Sequence, residues 1–131
     1  MKAYFDSTFV VGNIGIPYTQ VVNELKENSV IVAEISSFQL ESTNEFHPKV
    51  TAILNVTPDH LNRHHTMENY IAAKADITKR QTKDEFCVLN YDNEITRELG
   101  KKIPASPFYF STVEELGFGV YYKDGQIIYS S

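Results

Sequence analysis

The sequence predicts an α/β protein with a mostly parallel, doubly wound β-sheet. Short apolar runs rich in β-branched residues alternate with segments of helical periodicity. The runs are almost continuously apolar, which is typical of strands buried on both faces of a parallel sheet. Predicted strands lie at Thr8–Val11, Val30–Ala33, Val50–Leu54 and Phe86–Asn90, and predicted helices lie at Pro17–Glu27, Phe38–Phe46 and Met67–Arg80.

The character of the chain changes after about Lys102. Ile103–Pro107 is rich in turn residues, and aromatic and β-branched residues follow it. The pair Asp124 and Gly125 between such residues is a strong hairpin signal. We therefore expect one domain over residues 1–131, with an α/β part at 1–102 and an antiparallel hairpin excursion at 103–131.

Composition restricts the possible partners and compartments. A chain of 131 residues that is 42% hydrophobic can bury one core. A formal net charge of −5 without a basic run argues against a nucleic-acid or membrane-surface partner, although a phosphorylated ligand needs only a local positive patch. Met1–Asp6 lacks the apolar core of a signal peptide, and no apolar stretch approaches the ~20 residues of a membrane span. These features predict a soluble, cytoplasmic protein.

Polar residues follow the predicted strands at their carboxyl ends, where doubly wound sheets bind ligands. Glu34 closes a strand that is predicted to be buried, so its charge should meet a metal, a lysine or several hydrogen-bond donors. Gly12–Pro17 combines a glycine turn with a proline at a helix start, and its free amides could receive an anionic or amide-bearing group. Cys87, by contrast, lies inside an apolar strand and is interpreted as a packed side chain.

The predicted helix Met67–Arg80 carries a lysine within its apolar stripe. Thr66 can cap this helix, and Lys74 falls at the spacing of its apolar residues. A lysine on a buried face must extend its amine to solvent, pair with a carboxylate or lose its proton. A neutral amine can react with carbon dioxide to give a carbamate, which is an anionic oxygen ligand for a hard cation. Both the solvent-exposed and the carbamate interpretations remain open.

Three histidines suggest a second metal hypothesis. His60 and His64 are one helical turn apart, and Asp59 could act with them and His65 on zinc, although no cysteine supports a structural zinc site. His60 beside Asp59 has the better position for a catalytic metal. We interpret His64 and His65 as solvated loop residues and Glu41 as part of a solvated helix face.

Several segments, in this order and spacing, resemble the central domain of the Mur ligase family. They are Gly12–Pro17, Glu34–Glu41, Asn55–His64 and Tyr70–Lys74. The string Ser-Ser-Phe-Gln-Leu-Glu within the second segment is similar to the D-glutamate-adding branch of that family, whose other branches carry different residues after the strand glutamate.

The resemblance implies a P-loop-NTPase-like domain of an ATP-dependent ligase in peptidoglycan synthesis. Such an enzyme phosphorylates the carboxylate of UDP-N-acetylmuramoyl-L-alanine, and the amine of D-glutamate then displaces phosphate. The implied cofactors are ATP and two Mg²⁺ ions. By resemblance, Glu34 binds the first magnesium, while His60 and a carbamylated Lys74 hold the second. These residues are also the implied catalytic ones.

The resemblance also implies further contacts. The implied substrate-binding residues are Asn13, Ser36, Gln39 and Arg63. Asp59, with Arg63, would support the edge of the metal site, and Asn90 would lie near the nucleotide.

The chain departs from the family pattern. No Gly-x-x-x-x-Gly-Lys-[Ser/Thr] phosphate loop precedes Gly12, and the family's uridine-diphosphate-binding and carboxy-terminal domains have no counterpart in the sequence. We therefore expect a fragment that is inactive alone and a parent enzyme that is monomeric. A missing central strand would leave a sheet edge that self-association could cover.

Other function classes stay open at this point. A metal-dependent hydrolase could use His60, Asp59 and Glu34, and would need no ATP. A folylpolyglutamate synthetase-like ligase would act on folate, but Gln39 and its preceding residues argue against it. A folded, non-catalytic module would bind none of these ligands.

Overall fold

The computed structural model describes residues 4–131. The first three residues, part of the opening segment interpreted above, lie outside the described residues. The chain divides into two compact units, one that ends at Gln39 and one formed by Leu40–Ser131. The predicted α/β class, the mostly parallel strand pairing and the terminal antiparallel hairpin are confirmed. Among the described residues, none of the helices has the length and apolar character that a membrane crossing requires.

The first unit contains a two-stranded parallel sheet. Strands β1 (Thr8–Gly12) and β2 (Val30–Glu34) pair in parallel, and the last residue of β1 lies opposite the last residue of β2. Helix α1 (Tyr18–Val21) and a 3-10 turn (Val22–Glu24) connect them. Helix α2 (Ser37–Glu41) begins in this unit and ends in the second.

The second unit contains a five-stranded sheet in the order β3-β4-β5-β6-β7. Its strands are β3 (Val50–Ile53), β4 (Phe86–Asn90), β5 (Ser106–Ser111), β6 (Gly119–Lys123) and β7 (Gln126–Ser130), and its helices are α3 (Leu61–His64), α4 (Met67–Ala75) and α5 (Glu94–Leu99). All pairs are parallel except the β6–β7 hairpin. The parallel sheet thus extends past residue 102, because α5 crosses from β4 to a parallel β5.

A continuous core lies within the second unit. Its buried members are Ile53, Val56, Tyr70, Cys87, Leu89, Leu99 and Ala105. The thiol of Cys87 is fully buried, and this burial raises its pKa, which keeps the thiol protonated and unreactive. The interpretation of Cys87 as a packed side chain is confirmed.

The prediction that the four apolar strands are buried on both faces is wrong. Val10 on β1, Val32 on β2, Val50 on β3 and Phe86 on β4 are 55%, 39%, 61% and 43% exposed. One face of each strand is therefore open. An apolar sequence favours burial on two faces, but burial also requires a second layer to cover each face.

Two helices end earlier than predicted because side chains compete for their last carbonyl groups. Beyond α2, the main-chain N–H and the hydroxyl of Thr43 both donate to the Leu40 carbonyl, at 3.0 and 2.8 Å. At the end of α4, the Thr78 hydroxyl donates to the Ala75 carbonyl at 2.8 Å, and the chain tightens into a 3-10 turn. The first predicted helix is likewise reduced to α1 and its 3-10 turn.

The buried carboxylate of Glu85 links the two loops that precede β3 and β4. Glu85, only 6% exposed, accepts hydrogen bonds from the main-chain N–H of Thr82 at 2.7 Å and from its hydroxyl at 2.9 Å. His47 Nε2 and Lys49 Nζ approach the other carboxylate oxygen at 3.2 and 3.4 Å. The main-chain bond from Thr82 is the largest cause of a pKa lowered from 4.5 to about 2 for Glu85.

This lowered pKa predicts a specific acid sensitivity. Because the folded-state pKa lies below the ordinary value, Glu85 stabilises the fold above the ordinary value, and this contribution is lost as the pH falls towards about 2. We expect Glu85→Gln to lower the melting temperature at neutral pH. The difference between the melting temperatures at neutral pH and at about pH 3 should be smaller in this variant than in the unmodified protein. Thermal melts followed by circular dichroism measure both quantities. The exposed Glu27→Gln is the control, and an unchanged pH difference in Glu85→Gln would show that this carboxylate does not carry the effect.

Candidate active site

The end of β1 and the end of β2 bring two predicted site residues together. Asn13 Nδ2 donates to Glu34 Oε1 at 3.2 Å, and the Asn13 main-chain N–H donates to the Glu34 carbonyl at 2.7 Å. The Gly12 N–H donates to the Ile16 carbonyl at 3.0 Å. The expectation of a buried Glu34 is wrong, since this end of β2 is exposed and the carboxylate faces solvent beside Asn13.

Gly12 makes this approach possible. Its φ of 117° lies in a region that favours glycine, and a Cβ at this position would lie 2.1 Å from the Glu34 carbonyl oxygen. Only a residue without a side chain allows the two strand ends to come this close. The glycine turn seen in the sequence thus fixes the position of the Glu34 main chain.

Ser36 and Gln39 form a reciprocal cap at the start of α2. The Ser36 N–H and hydroxyl donate to Gln39 Oε1 at 2.9 and 3.1 Å, and the Gln39 N–H donates to Ser36 Oγ at 3.3 Å. This is a capping box, for which the Ser-x-x-Gln spacing was an available signal that the sequence analysis did not use. Both predicted substrate-binding residues are therefore also helix-capping residues.

The predicted metal ligand His60 lies on a strained segment of the second unit. The His60 N–H donates to Asp59 Oδ1 at 2.7 Å, and its Nε2 lies 3.4 Å from Asp59 Oδ2. His60 has a φ of 52° and His65 a φ of 67°, so two non-glycine residues at positive φ flank the single turn of α3. The left-handed backbone of His60 costs about 1–2 kcal/mol. Such strain is common at functional sites.

His64 differs from its expected place in a solvated loop. Its side chain is only 3% exposed, and its Nδ1 lies 3.4 Å from Glu41 Oε1. The other oxygen of Glu41 pairs with Arg63 Nη2 at 2.8 Å. The interpretation of His64 as a solvated loop residue is wrong, because its side chain is buried. Glu41 is exposed on α2 as predicted, and it also pairs with His64 and Arg63.

One buried aromatic ring contacts both predicted ligands of the second metal site. Tyr70, 5% exposed, lies one helical turn before Lys74 on α4, and Lys74 Nζ stands 5.0 Å from the centre of its ring. The His60 ring meets the same ring edge-on, with centroids 6.4 Å apart. Lys74 is half-buried, which agrees with its predicted place in the apolar stripe. The predicted Thr66 cap of α4 is also present, since Thr66 Oγ1 accepts from the Asn69 N–H at 3.2 Å.

The ends of β3 and β4 place an amide pair at the carboxyl edge of the larger sheet. Asn90 Nδ2 donates to Asn55 Oδ1 at 3.0 Å, and Asn90 Oδ1 accepts from the Asp92 N–H at 2.9 Å. The side chain of Asn90 is therefore fixed on both its donor and its acceptor side. Its partner Asn55 was not singled out from the sequence, because the pairing depends on the parallel register of β3 and β4.

Among residues 4–131, no group of three or more His, Cys, Asp or Glu side chains is arranged to hold a metal ion. A structural zinc site requires about four such ligands, whereas Mg²⁺ retains several waters and binds one or two protein oxygens with substrate phosphates. Glu34 presents one exposed carboxylate in the first unit, and Asp59 lies beside His60 in the second.

Comparison with known proteins identifies the relatives of this chain. Residues 8–130 match the family model described as the Mur ligase middle domain. The chain belongs to the Mur ligase family. The resemblance on which the sequence analysis relied is confirmed, and the matched range contains every predicted site residue.

Individual Mur ligases match over nearly the whole chain. The UDP-N-acetylmuramoylalanine--D-glutamate ligase of Lachnoclostridium phytofermentans is 57% identical over 129 residues, which are 98% of this chain and 28% of that enzyme. The enzymes of the same name from Clostridioides difficile and Alkaliphilus metalliredigens are 56% and 51% identical, over 92% and 93% of this chain and 27% of their own lengths. The chain thus spans little more than a quarter of the curated Mur ligases it matches.

Proposed function

We propose that this chain is part of an ATP-dependent Mur ligase that adds D-glutamate to UDP-N-acetylmuramoyl-L-alanine. The observation that carries the proposal is that His60 and Lys74 both lie against the same buried ring, that of Tyr70. The 57% identity to a relative named as a D-glutamate ligase supports the choice of substrates.

The proposed reaction has two steps. A carboxylate oxygen of the alanyl group attacks the γ-phosphorus of ATP, the bond from that phosphorus to ADP breaks, and an acyl phosphate forms. The D-glutamate amine then attacks the acyl carbon, the carbon–oxygen bond to phosphate breaks, and an amide forms with loss of a proton. Each step joins anionic partners, so the enzyme must offset charge and align the reacting atoms.

The residues of this chain would supply that alignment. Bound magnesium would neutralise charge on the phosphate oxygens and hold them in line. Glu34, oriented by Asn13, would hold the first ion, and His60 would hold the second with a carbamylated Lys74. Carbamylation converts the Lys74 amine, which in its charged form would repel a cation, into an anionic oxygen ligand.

The remaining predicted residues have positions compatible with binding. Asn13, Ser36 and Gln39 present amide and hydroxyl groups at the ends of β1 and β2 and at the start of α2, where they would contact the muramoyl-alanine part. Arg63 and Asp59 would support the edge of the metal site, and the fixed amide of Asn90 would lie near the nucleotide. Ser36 and Gln39 bond to each other, whereas Asn13, Arg63 and Asn90 bond to Glu34, Glu41 and Asn55. These bonds pre-organise the groups, which lowers the entropy cost of binding.

We further propose a cytoplasmic, monomeric parent protein that supplies the phosphate loop and the two flanking domains. Within it, this chain forms the partial central domain. Neither nucleic acid nor membrane is a proposed partner. Alone, the chain would lack the main ATP cradle, be inactive and be able to associate through an open sheet edge.

The test is D-glutamate-dependent phosphate release from ATP and UDP-N-acetylmuramoyl-L-alanine. It is run on this chain and on the full-length native protein that carries the sequence. We expect release by the full-length protein and none by the chain alone. Hydrolysis of an ester or amide without ATP would instead favour a metal-dependent hydrolase, and turnover with a folate would favour the folylpolyglutamate synthetase-like alternative.

A further inference from the structure

The buried side chain of His64 contacts both the partly exposed Glu41 and the Tyr70 ring near which Lys74 lies. His64 is 3% exposed in its side chain, and its Nδ1 lies 3.4 Å from Glu41 Oε1. The His64 ring packs against the Tyr70 ring at 5.2 Å between centroids, with the planes inclined by 37°. Glu41 is in turn held by Arg63 Nη2 at 2.8 Å from its second oxygen. The carboxylate thus fixes the orientation of the imidazole, and the imidazole packs against the tyrosine.

The Tyr70 ring in turn restricts the position of the Lys74 amine. Lys74 Nζ stands 5.0 Å from the Tyr70 centroid, within the range of a cation–π contact. A lysine side chain has four rotatable bonds, so the position of its amine depends on the surface against which it rests. A ring that could tilt would leave that amine less well placed for carbamate formation and for binding a cation.

We propose that the Glu41–His64 pair is a positioning element for Lys74 and acts through the Tyr70 ring. The inference rests on the proposed function, in which Lys74 is carbamylated. Neither Glu41 nor His64 touches the reacting atoms in this proposal. Their role is to hold the aromatic surface that sets the place of the amine.

The test is the carbamate occupancy of Lys74 in the full-length native protein, measured with ¹³C-bicarbonate by NMR. Lys74→Ala assigns the carbamate resonance. Glu41→Ala and His64→Phe remove the pairing, while His64→Phe keeps an aromatic ring against Tyr70. We expect each to raise the bicarbonate concentration for half-maximal signal about two- to fivefold, the size of effect expected from the loss of one weak polar contact.

A double variant and a matched control complete the experiment. Because both residues act through one contact, the Glu41→Ala, His64→Phe double variant should shift the half-saturation no further than the larger single shift. Glu98→Ala removes the exposed pair between Glu98 on α5 and Lys101, and it should leave the half-saturation concentration unchanged. If His64→Phe fails to fold, Glu41→Ala retains the test, because the Glu41 side chain is 38% exposed.

The outcomes separate this inference from the proposed function. A Lys74 resonance whose half-saturation shifts as described supports both. A Lys74 resonance that neither single variant shifts overturns the positioning role and leaves the ligase assignment intact. The absence of any Lys74 resonance from the unmodified protein overturns the carbamate, and with it the positioning role.

Discussion

Replacing Lys74 with alanine is expected to lower D-glutamate-dependent phosphate release by the full-length protein about 10³-fold. A bound metal contributes several kcal/mol to charge stabilisation in the transition state. Each 1.4 kcal/mol corresponds to a factor of about ten in rate. Loss of the carbamate removes an anionic ligand from the proposed second site, so the effect should fall mainly on kcat. Initial-rate measurements over a range of substrate concentrations would separate kcat from KM.

Chemical rescue tests whether the missing group is a carboxylate-like ligand. Short carboxylates such as acetate should restore part of the activity of Lys74→Ala, because they can occupy the space of the carbamate. The exposed Lys83→Ala is the matched control and should retain full activity. Activity of Lys74→Ala within about threefold of the unmodified protein, a difference of less than 1 kcal/mol, would show that this lysine is not a metal ligand.

Gly12→Ala is expected to destabilise the first unit by about 2–5 kcal/mol. The added Cβ would lie 2.1 Å from the Glu34 carbonyl oxygen and 2.9 Å from its nitrogen, and both are main-chain atoms of a paired strand. The φ of 117° adds strain for any residue with a side chain. Chemical denaturation followed by circular dichroism measures the loss, which appears as a lower midpoint or as a separate early transition.

The chain provides a matched control for this change. Gly117 has no neighbouring atom within 4 Å of an added Cβ, so Gly117→Ala should alter the free energy of unfolding by less than about 0.5 kcal/mol. Equal stability of the Gly12→Ala and Gly117→Ala variants would contradict the close approach of the β1 and β2 ends. It would also remove the basis for the fixed position of Glu34 beside Asn13.

Local signals predicted much of the fold. The apolar runs gave four strands, and Thr66 marked the start of α4. The Asp124-Gly125 turn was recognised because a two-residue hairpin of this type needs positive φ at both positions, and the observed values are 48° and 81°. Helix α5 had a comparable signal in Asn93, whose side chain caps it at 3.1 Å. The sequence analysis did not predict this helix, although it lies between the predicted strand Phe86–Asn90 and the turn-rich segment Ile103–Pro107.

The site was predicted less completely because its geometry depends on contacts between distant residues. Lys74 was found through its conflict with the apolar stripe of its own helix, which is local information. His64 pairs with Glu41, which lies far away in sequence, and no periodicity indicates this pairing. The sequence indicates only that Tyr70 is an apolar residue of a predicted helix. The contacts of its ring with His60 and Lys74 depend on side-chain rotamers that the sequence does not specify.

The central claim is that this chain belongs to an enzyme that joins D-glutamate to a muramoyl-alanine carboxylate. Its most direct test is the mass of the product formed by the full-length protein from UDP-N-acetylmuramoyl-L-alanine, ATP and a mixture of amino acids. The account predicts a single product that carries one added D-glutamate, formed only in the presence of magnesium. A product carrying a different amino acid, or a glutamate added to a folate, would contradict it.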